Sequence, residues 1–205
     1  MTRDALLSRL CAQAWPVDPL LDALKLNTDL AVLDIGAGDG GLLKRLRRRG
    51  HKGPLIGLDP QPGPGIHTGY AEHLPFPKAH FDVVLLIRTL LHVADPAQAL
   101  AEARRVLKPG GQLIVAVQGA QHLAAFWARY GSPEEGADAV TARLLPGHDF
   151  RRLDLRLPVM LSIHGAWALA RSYDLPALPV AEALRTELHL AVFTQSFRPT
   201  MNVPA

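Results

Sequence analysis

A single cysteine, Cys11, stands in this chain of 205 residues. That excludes an internal disulfide framework and any zinc ribbon or knuckle built from cysteine pairs. Cys11 itself reads as a helix-face residue rather than a nucleophile. No run of about 18 uninterrupted apolar residues occurs, so no membrane-spanning helix is expected. The first residues lack the basic, apolar and small-residue order of a secretory signal, and a soluble cytoplasmic protein with no membrane partner is expected. HExxH motifs, Cys/His clusters and carboxylate triads are also missing, so no metal site is expected.

What is present suits one sizeable core. The chain is 48% hydrophobic with a formal net charge of +3, a composition for a single compact domain with modest additions. Much of the positive excess sits in Lys44-Arg45-Leu46-Arg47-Arg48-Arg49-Gly50-His51-Lys52. That run reads as the solvated end of a helix, where cations suit the C-terminal dipole, before it reads as a nucleic-acid patch.

Leucine and alanine spacing predicts helices over Asp4–Trp15 and Pro19–Leu26. Ala31–Asp34 is an apolar strand, Leu42–Arg49 a helix closed by Gly50, and Pro54–Asp59 a second buried strand. Between Asp59 and His67 only a Pro/Gly-rich stretch remains, too short for the dozen or so residues of a normal parallel crossover, so a bare loop is expected there. Phe81–Ile87 is a predominantly apolar strand, and Pro96–Leu107 is a helix expected to stop at Pro109-Gly110-Gly111. Gln112–Val117 forms another strand. Strands alternating with helices imply a mostly parallel sheet covered on both faces. After Gln118 the rhythm changes. Gln121–Tyr130, Pro133–Leu145 and Ile163–Tyr173 look helical, Phe150–Pro158 alternates like a strand, and Arg185–Phe197 is expected to begin as a helix and finish as a strand from His189. Thr200–Ala205 is expected to fray. The organisation so read is a helical cap over 1–28, a ligand-binding core over 29–120, and variable helices with the last strands of the same domain over 121–205.

The most informative stretch is Val32-Leu33-Asp34-Ile35-Gly36-Ala37-Gly38-Asp39-Gly40-Gly41. It reads as a buried strand turning through a glycine loop into a helix, with the main chain laid bare for a small ligand. Alone, Gly36-x-Gly38-x-x-Gly41 also fits a dinucleotide site or a structural turn. Asp59, closing the second strand about 20 residues on, suits a carboxylate accepting hydrogen bonds from two ribose hydroxyls. Ala71-Glu72 before Leu74-Pro75-Phe76, and Leu107-Lys108-Pro109-Gly110-Gly111 before Leu113, complete a far more specific set.

On these segments, VLDIGAGDG, LIGLDP, AEHLPF, FDVVLLIRTLLHV and LKPGGQLIV, the chain from about Ala31 to Val117 resembles class I S-adenosylmethionine-dependent methyltransferases of the Methyltransf_11 type. The resemblance implies a Rossmann-like α/β fold with a seven-stranded, mostly parallel sheet, ordered 3-2-1-4-5-7-6 with the last strand antiparallel. It implies S-adenosyl-L-methionine as cofactor and assigns roles. Asp34 would engage the methionyl amino group or an intervening water, and Gly36, Ala37 and Gly38 would let the backbone approach the methionyl and ribose parts. Asp59 would hold the ribose, Ala71 and Glu72 would border the adenine, and Ile87 with Arg88 would pass under the methionyl portion. Pro60 and Gln61 would form a thin lid where the family carries a helix, which implies weaker affinity or a pocket completed by a second subunit of a homodimer.

Methyl transfer from a sulfonium is an in-line displacement needing alignment rather than a protein nucleophile. If the acceptor must lose a proton, His92 is the nearest candidate general base, although the family often has a histidine there whatever the substrate. Arg88 is the candidate to pair with an anionic acceptor. His122, His148 and His164 read as core or surface histidines. Neither an Asn/Asp-Pro-Pro-Tyr loop nor a cysteine pair is present, which argues against adenine amino and cytosine carbon methylation. The second half is loosely similar to bacterial large-subunit ribosomal RNA guanine methyltransferases through Gln121-His122-Leu123 and Leu161-Ser162-Ile163-His164-Gly165-Ala166-Trp167-Ala168, but lacks their zinc module. Three readings follow: a methyltransferase acting on a small molecule, which is favoured, an RNA methyltransferase, and a cofactor-binding protein without activity. A nicotinamide oxidoreductase is disfavoured by Asp34 and the Lys-Pro-Gly-Gly segment.

Overall fold

The computed structural model describes residues 3–131, 135–145, 150–176 and 182–196. In chain order these residues form α1 (Arg3–Cys11), α2 (Val17–Leu24), β1 (Val32–Ile35), α3 (Gly41–Arg48), β2 (Leu55–Asp59), β3 (His67–Thr68), β4 (Phe81–Ile87), a 3₁₀ turn (Leu90–His92), α4 (Pro96–Val106), β5 (Leu107–Gln118), α5 (Ala124–Trp127), α6 (Ala137–Leu144), β6 (Arg151–Leu161), α7 (Ile163–Ser172) and β7 (Leu184–Ser196). The strands make one mixed, mostly parallel sheet in the order β3-β2-β1-β4-β5-β7-β6, the Rossmann-like order expected. No helix among these residues is long and apolar enough to cross a membrane.

The central ladders are parallel, with Val32 opposite Leu55 and Val83, and Leu85 opposite Ile114. Val32, Leu33, Val84, Leu85, Leu86 and the run Leu113–Ala116 are all essentially without solvent exposure. Such unbroken apolar strands are what a parallel sheet covered on both faces requires, because successive side chains point to opposite sides and both sides are dry. α3 buries Leu42, Leu43 and Leu46 and turns its arginines outward; α4 begins on an Asp95 side-chain cap and buries Ala99, Leu100, Ala103 and Val106.

Three expectations need correction. Pro109-Gly110-Gly111 does not stop a helix: α4 has ended by Val106, β5 starts at Leu107, and Lys108–Gly111 is a bulge between the pairs Phe81–Leu107 and Val83–Gln112, with Gly110 at φ +84°. Residues 185–196 contain no helix. Their charged residues alternate with buried ones, Leu184, Thr186 and Leu188 in and Arg185 out, which is the period of a strand. The helix expected over Gln121–Tyr130 shrinks to α5, entered through Leu123 at φ +55°. His148, Phe197, Thr200–Ala205 and the first two residues of the Pro133–Leu145 prediction lie outside the described residues.

Contacts divide the chain into two units. One, 26–117 with 141–153 and 192–205, carries β1 to β4, α3, α4 and nearly all of β5. The other, 1–25 with 118–140 and 154–191, carries α1, α2, α5, α7 and most of β6 and β7. Within the second, the Arg3 guanidinium lies 3.6 Å over the Tyr173 ring and donates to the Ser172 carbonyl at 2.6 Å, tying α1 to α7. Its polar core is the His189 ring, 1% exposed, which accepts from the Gln121 amide on Nδ1 and therefore donates from Nε2 to Asp154, 2.8 Å away.

Candidate functional site

The glycine loop follows β1 directly. Gly36, Gly38 and Gly40 have φ of +78°, +54° and +75°, and α3 starts at Gly41. The amides of Gly36 and Ala37 both donate to the Leu58 carbonyl, at 2.8 and 3.1 Å, which fastens the loop to β2. A Cβ on Gly36 would collide with the Thr89 side chain, whereas one on Gly38 would meet nothing within 4 Å. Gly36 is therefore packed and Gly38 is open. Gly36→Ala combines a left-handed backbone, about 1–2 kcal/mol, with overpacking of about 1–3 kcal/mol. A fall in the urea midpoint is expected, and an unchanged midpoint would refute the packing described.

Asp59 closes β2 and works on that loop. Its Oδ2 accepts from the Gly38 amide and its Oδ1 from the Gln61 amide, both at 2.8 Å. Each carboxylate oxygen retains a further lone pair. The connection to β3 is a bare loop, residues 60–66, as its length demands, and β3 still pairs in parallel, Leu58 with His67 and Asp59 with Thr68. The loop is stitched to the glycine turn by a Gly63 amide donating to the Gly38 carbonyl at 2.9 Å; a Cβ at Gly63 would stand 2.7 Å from the Asp39 Cα.

Beside Asp59 opens a cavity of about 490 Å³, within the roughly 300–1,000 Å³ of small-molecule sites. Of the residues singled out in the sequence, Gly36, Asp59, Pro60, Ala71, Glu72, Arg88 and His92 line it, together with Gln61. Asp34, Ala37, Gly38 and Ile87 are not in its wall. Thr89, Tyr70, Ile35, Leu58, Val93 and Ala94 line it too and were not foreseen. Thr89 matters most among these, since its hydroxyl donates to the Ile35 carbonyl at 3.0 Å and its side chain abuts Gly36. The clue available was only its position, two residues beyond the apolar strand. Arg88 holds φ +58°, a conformation rare for a side-chain-bearing residue, and its amide donates to the Ala116 carbonyl at 2.7 Å. His92, at the end of the 3₁₀ turn, is exposed on the cavity rim.

Asp34 is 3% exposed in the middle of the sheet, opposite Gly57 and Leu85. Burial first, and the Asp59 charge second, push its carboxyl up to about 7, and no described cation offsets them. Glu72 behaves oppositely. Burial alone would raise it, but hydrogen bonds from its own amide and those of Asp95 and Ala94 hold it below the usual carboxylate range. Its Oε1 accepts from Ala94 and Asp95 at 2.8 and 3.2 Å, so Glu72 ties the cavity wall to the approach of α4.

Two of the sequence segments have structural work. Glu102 and Arg105 of α4 form an ion pair at 2.6 Å and grip the segment after Glu72: Arg105 donates to the Leu74 and Phe76 carbonyls, and Glu102 accepts from the Leu74 amide. Lys108 donates to both Asp82 oxygens at 2.9 Å, and Asp82 accepts from the Ala31 amide, joining β4, β5 and the start of β1. Arg105→Ala should lower stability by about 1–3 kcal/mol by leaving carbonyls and a carboxylate short of donors, measured by denaturant unfolding; no change would mean that the clamp is ornamental.

His122 is buried, accepts from the His189 amide at 3.1 Å and stacks with Trp15, a core role. His164 stands in the first turn of α7 with its ring edge-on to Trp167. No group of three or more His, Cys, Asp or Glu among the described residues could hold a metal ion.

Comparison with known proteins agrees with this geometry. Residues 33–115 match the Methyltransf_11 methyltransferase domain. The chain is 38% identical over 111 residues to an uncharacterised 37.1 kDa protein in transposon TN4556 of Streptomyces fradiae, covering 47% of this chain and 32% of that protein. It is 39% identical over 100 residues to the ubiquinone/menaquinone biosynthesis C-methyltransferase UbiE of Ralstonia pickettii, covering 41% of each. The chain thus spans well under two thirds of the length of the curated relatives it matches. A crystal structure of an S-adenosylmethionine-dependent methyltransferase from Thermotoga maritima superposes with a TM-score of 0.58 at 19% identity, covering 96% of this chain and 94% of that one.

Proposed function

From a chain whose residues 33–115 belong to the class I methyltransferase family Methyltransf_11, we propose an enzyme that transfers the methyl group of S-adenosylmethionine to a small-molecule acceptor. The observation that carries the reading is Asp59, a carboxylate at the wall of the cavity, pinned by the Gly38 and Gln61 amides with one lone pair on each oxygen still available. Two outward lone pairs on one rigid carboxylate suit the two hydroxyls of a ribose. The cavity volume and the uncompensated Asp34 carboxyl suit the rest of the cofactor, the latter as partner of an α-ammonium group, directly or through a water.

When bound, S-adenosylmethionine supplies an electrophilic methyl carbon on a sulfonium sulfur that departs as a neutral thioether. The protein's part is positional. Gly36, fixed between the Leu58 carbonyl and Thr89, keeps the loop in one conformation, and Gly38 leaves its outer side free of any side chain. Pro60 and Gln61 cover one side where no helix intervenes, and Ala71 with Glu72 forms the other wall. Arg88, held in its strained backbone state by the Ala116 carbonyl, is placed to neutralise an anionic acceptor. His92, on the rim, can take a proton from an acceptor hydroxyl or activated carbon through its ring nitrogen. The reading is of a cytoplasmic enzyme, and the UbiE relative's printed activity, C-methylation in quinone biosynthesis, favours a small acceptor over RNA.

The test is incubation of the full chain with methyl-labelled S-adenosylmethionine and cell extract, followed by separation of small molecules, RNA and protein. Label in the small-molecule fraction supports the proposal. Label in RNA would replace it with the ribosomal RNA reading, and tight cofactor binding with no label anywhere would replace it with a binding protein.

A further inference from the structure

A second cleft, of about 360 Å³, is lined wholly by residues of the unit that contains α1, α5 and α7. We propose that this cleft, bounded by Gln121, Ala124, Pro158, Arg185, Thr186 and Glu187, binds a small carboxylate-bearing molecule anchored by the Arg185 guanidinium.

The charge balance of the lining points to one negative charge. Glu187 is already matched, its Oε1 accepting from Arg156 Nη1 at 3.1 Å. No hydrogen bond or ion pair holds the exposed Arg185 among the described residues, so its charge is the unmatched one in the lining. A guanidinium presents paired N–H donors in a plane, the geometry that a carboxylate accepts in bidentate fashion. A phosphate dianion suits the cleft less well, because it would bring a second negative charge towards Glu187 with no second free cation to meet it.

The neutral part of the lining indicates what the carboxylate is attached to. Ala124 and Pro158 offer a short apolar wall for a carbon skeleton. Thr186 is nine-tenths buried on the strand face opposite Arg185 and closes the floor of the cleft without offering it a side-chain donor. The backbone around the cleft is set rather than loose: the Leu123 amide donates to the Glu187 carbonyl at 2.8 Å, the Gly119 amide to the His189 carbonyl at 3.0 Å, and the Gln121 amide to the His189 ring. A ligand therefore meets a preformed surface and loses little to ordering it.

The experiment is fluorine NMR of 4-fluorobenzoate titrated with the full chain, beside its neutral twin 4-fluorobenzamide. Saturable broadening of the benzoate signal is expected, with the amide binding at least about fivefold more weakly and Arg185→Gln weakening the benzoate about tenfold or more, the range for hydrogen bonds to a charged group. Inorganic phosphate should displace the probe no better than chloride does. Equal binding of acid and amide, equal binding by the wild type and Arg185→Gln, or displacement by phosphate alone would overturn the proposal, as would an absence of broadening. Arg185 is exposed, so the variant should keep the wild-type thermal midpoint, which checks its fold. S-adenosylhomocysteine affinity is read separately: its absence in both proteins would count against the methyltransferase reading and leave the benzoate result standing.

Discussion

Replacing Asp59 by alanine should lower the affinity for S-adenosylhomocysteine by about a hundredfold or more, with the smallest share of the loss coming from changed packing. In the proposed function the two remaining lone pairs of the carboxylate accept two ribose hydroxyls, and hydrogen bonds to a charged group contribute about 1.5–3 kcal/mol each. Two of them amount to about 3–6 kcal/mol, or two to four powers of ten in Kd. The substitution also frees the Gly38 and Gln61 amides that Asp59 now holds at 2.8 Å, so the glycine loop and the loop at 60–66 lose their shared fastening. Asp59→Asn separates these contributions. The amide keeps an acceptor for one backbone donor but has neither the charge nor the second acceptor, and an intermediate affinity is expected. Calorimetric titration of the three proteins makes the comparison, and wild-type affinity in Asp59→Ala would show that the ribose lies elsewhere.

The second large effect concerns Asp34 and is a trade between stability and binding. With its folded-state carboxyl pushed up to about 7 from 3.8, the group binds its proton more tightly in the folded chain than in the unfolded one. Its stabilising contribution is whole below the unfolded value and is lost as pH rises through about 7. The difference amounts to about 4 kcal/mol at alkaline pH. Asp34→Asn removes that dependence, so the ligand-free variant should be more stable than the wild type at about pH 8 and little different at about pH 4. Cofactor binding should move the other way. A cationic α-amino group draws Asp34 into its ionised form, so a proton leaves on binding below pH about 7, affinity climbs with pH up to that value, and it falls again once the ligand's own amine loses its proton near about 8. Titrations in buffers of different ionisation enthalpy count the released proton. Asp34→Asn should abolish the proton release and bind weakly, whereas a pH-independent affinity in the wild type would remove Asp34 from the ligand's amino end.

The first half of the chain was legible because its signals are local. An apolar run followed by glycines at alternate positions can do little other than end a buried strand and expose backbone, and the seven residues of 60–66 cannot hold a helix. The cavity wall contributed by Ala71 and Glu72 was legible in position but not in cause. Its support comes from Glu102 and Arg105, some thirty residues on, two ordinary charges on a helix that give no sign in the sequence of where they reach. Thr89 gives no sign of its role in the sequence, because a threonine after a strand is ordinary and only the fold sets it against Gly36. In the second half, the start of β7 carries no local sign of a strand; only burial of Leu184, Thr186 and Leu188 on the alternate positions reveals it. The bulge at Lys108–Gly111 was mistaken for a helix stop because Pro-Gly-Gly breaks either element equally well, and the Lys108 pairing with Asp82 that makes it useful is a contact between strands.

The cavity between the glycine loop and Glu72 is the proposed seat of the adenosyl ligand. A crystal structure of the full chain grown with S-adenosylhomocysteine tests it most directly. The ribose hydroxyls are expected within hydrogen-bond distance of both Asp59 oxygens, with the adenine beside Ala71 and Glu72 and the amino-acid end towards Gly36 and Asp34. A structure in which the ligand binds away from Asp59, or in which that cavity stays empty of ligand at saturating concentration, would contradict the account.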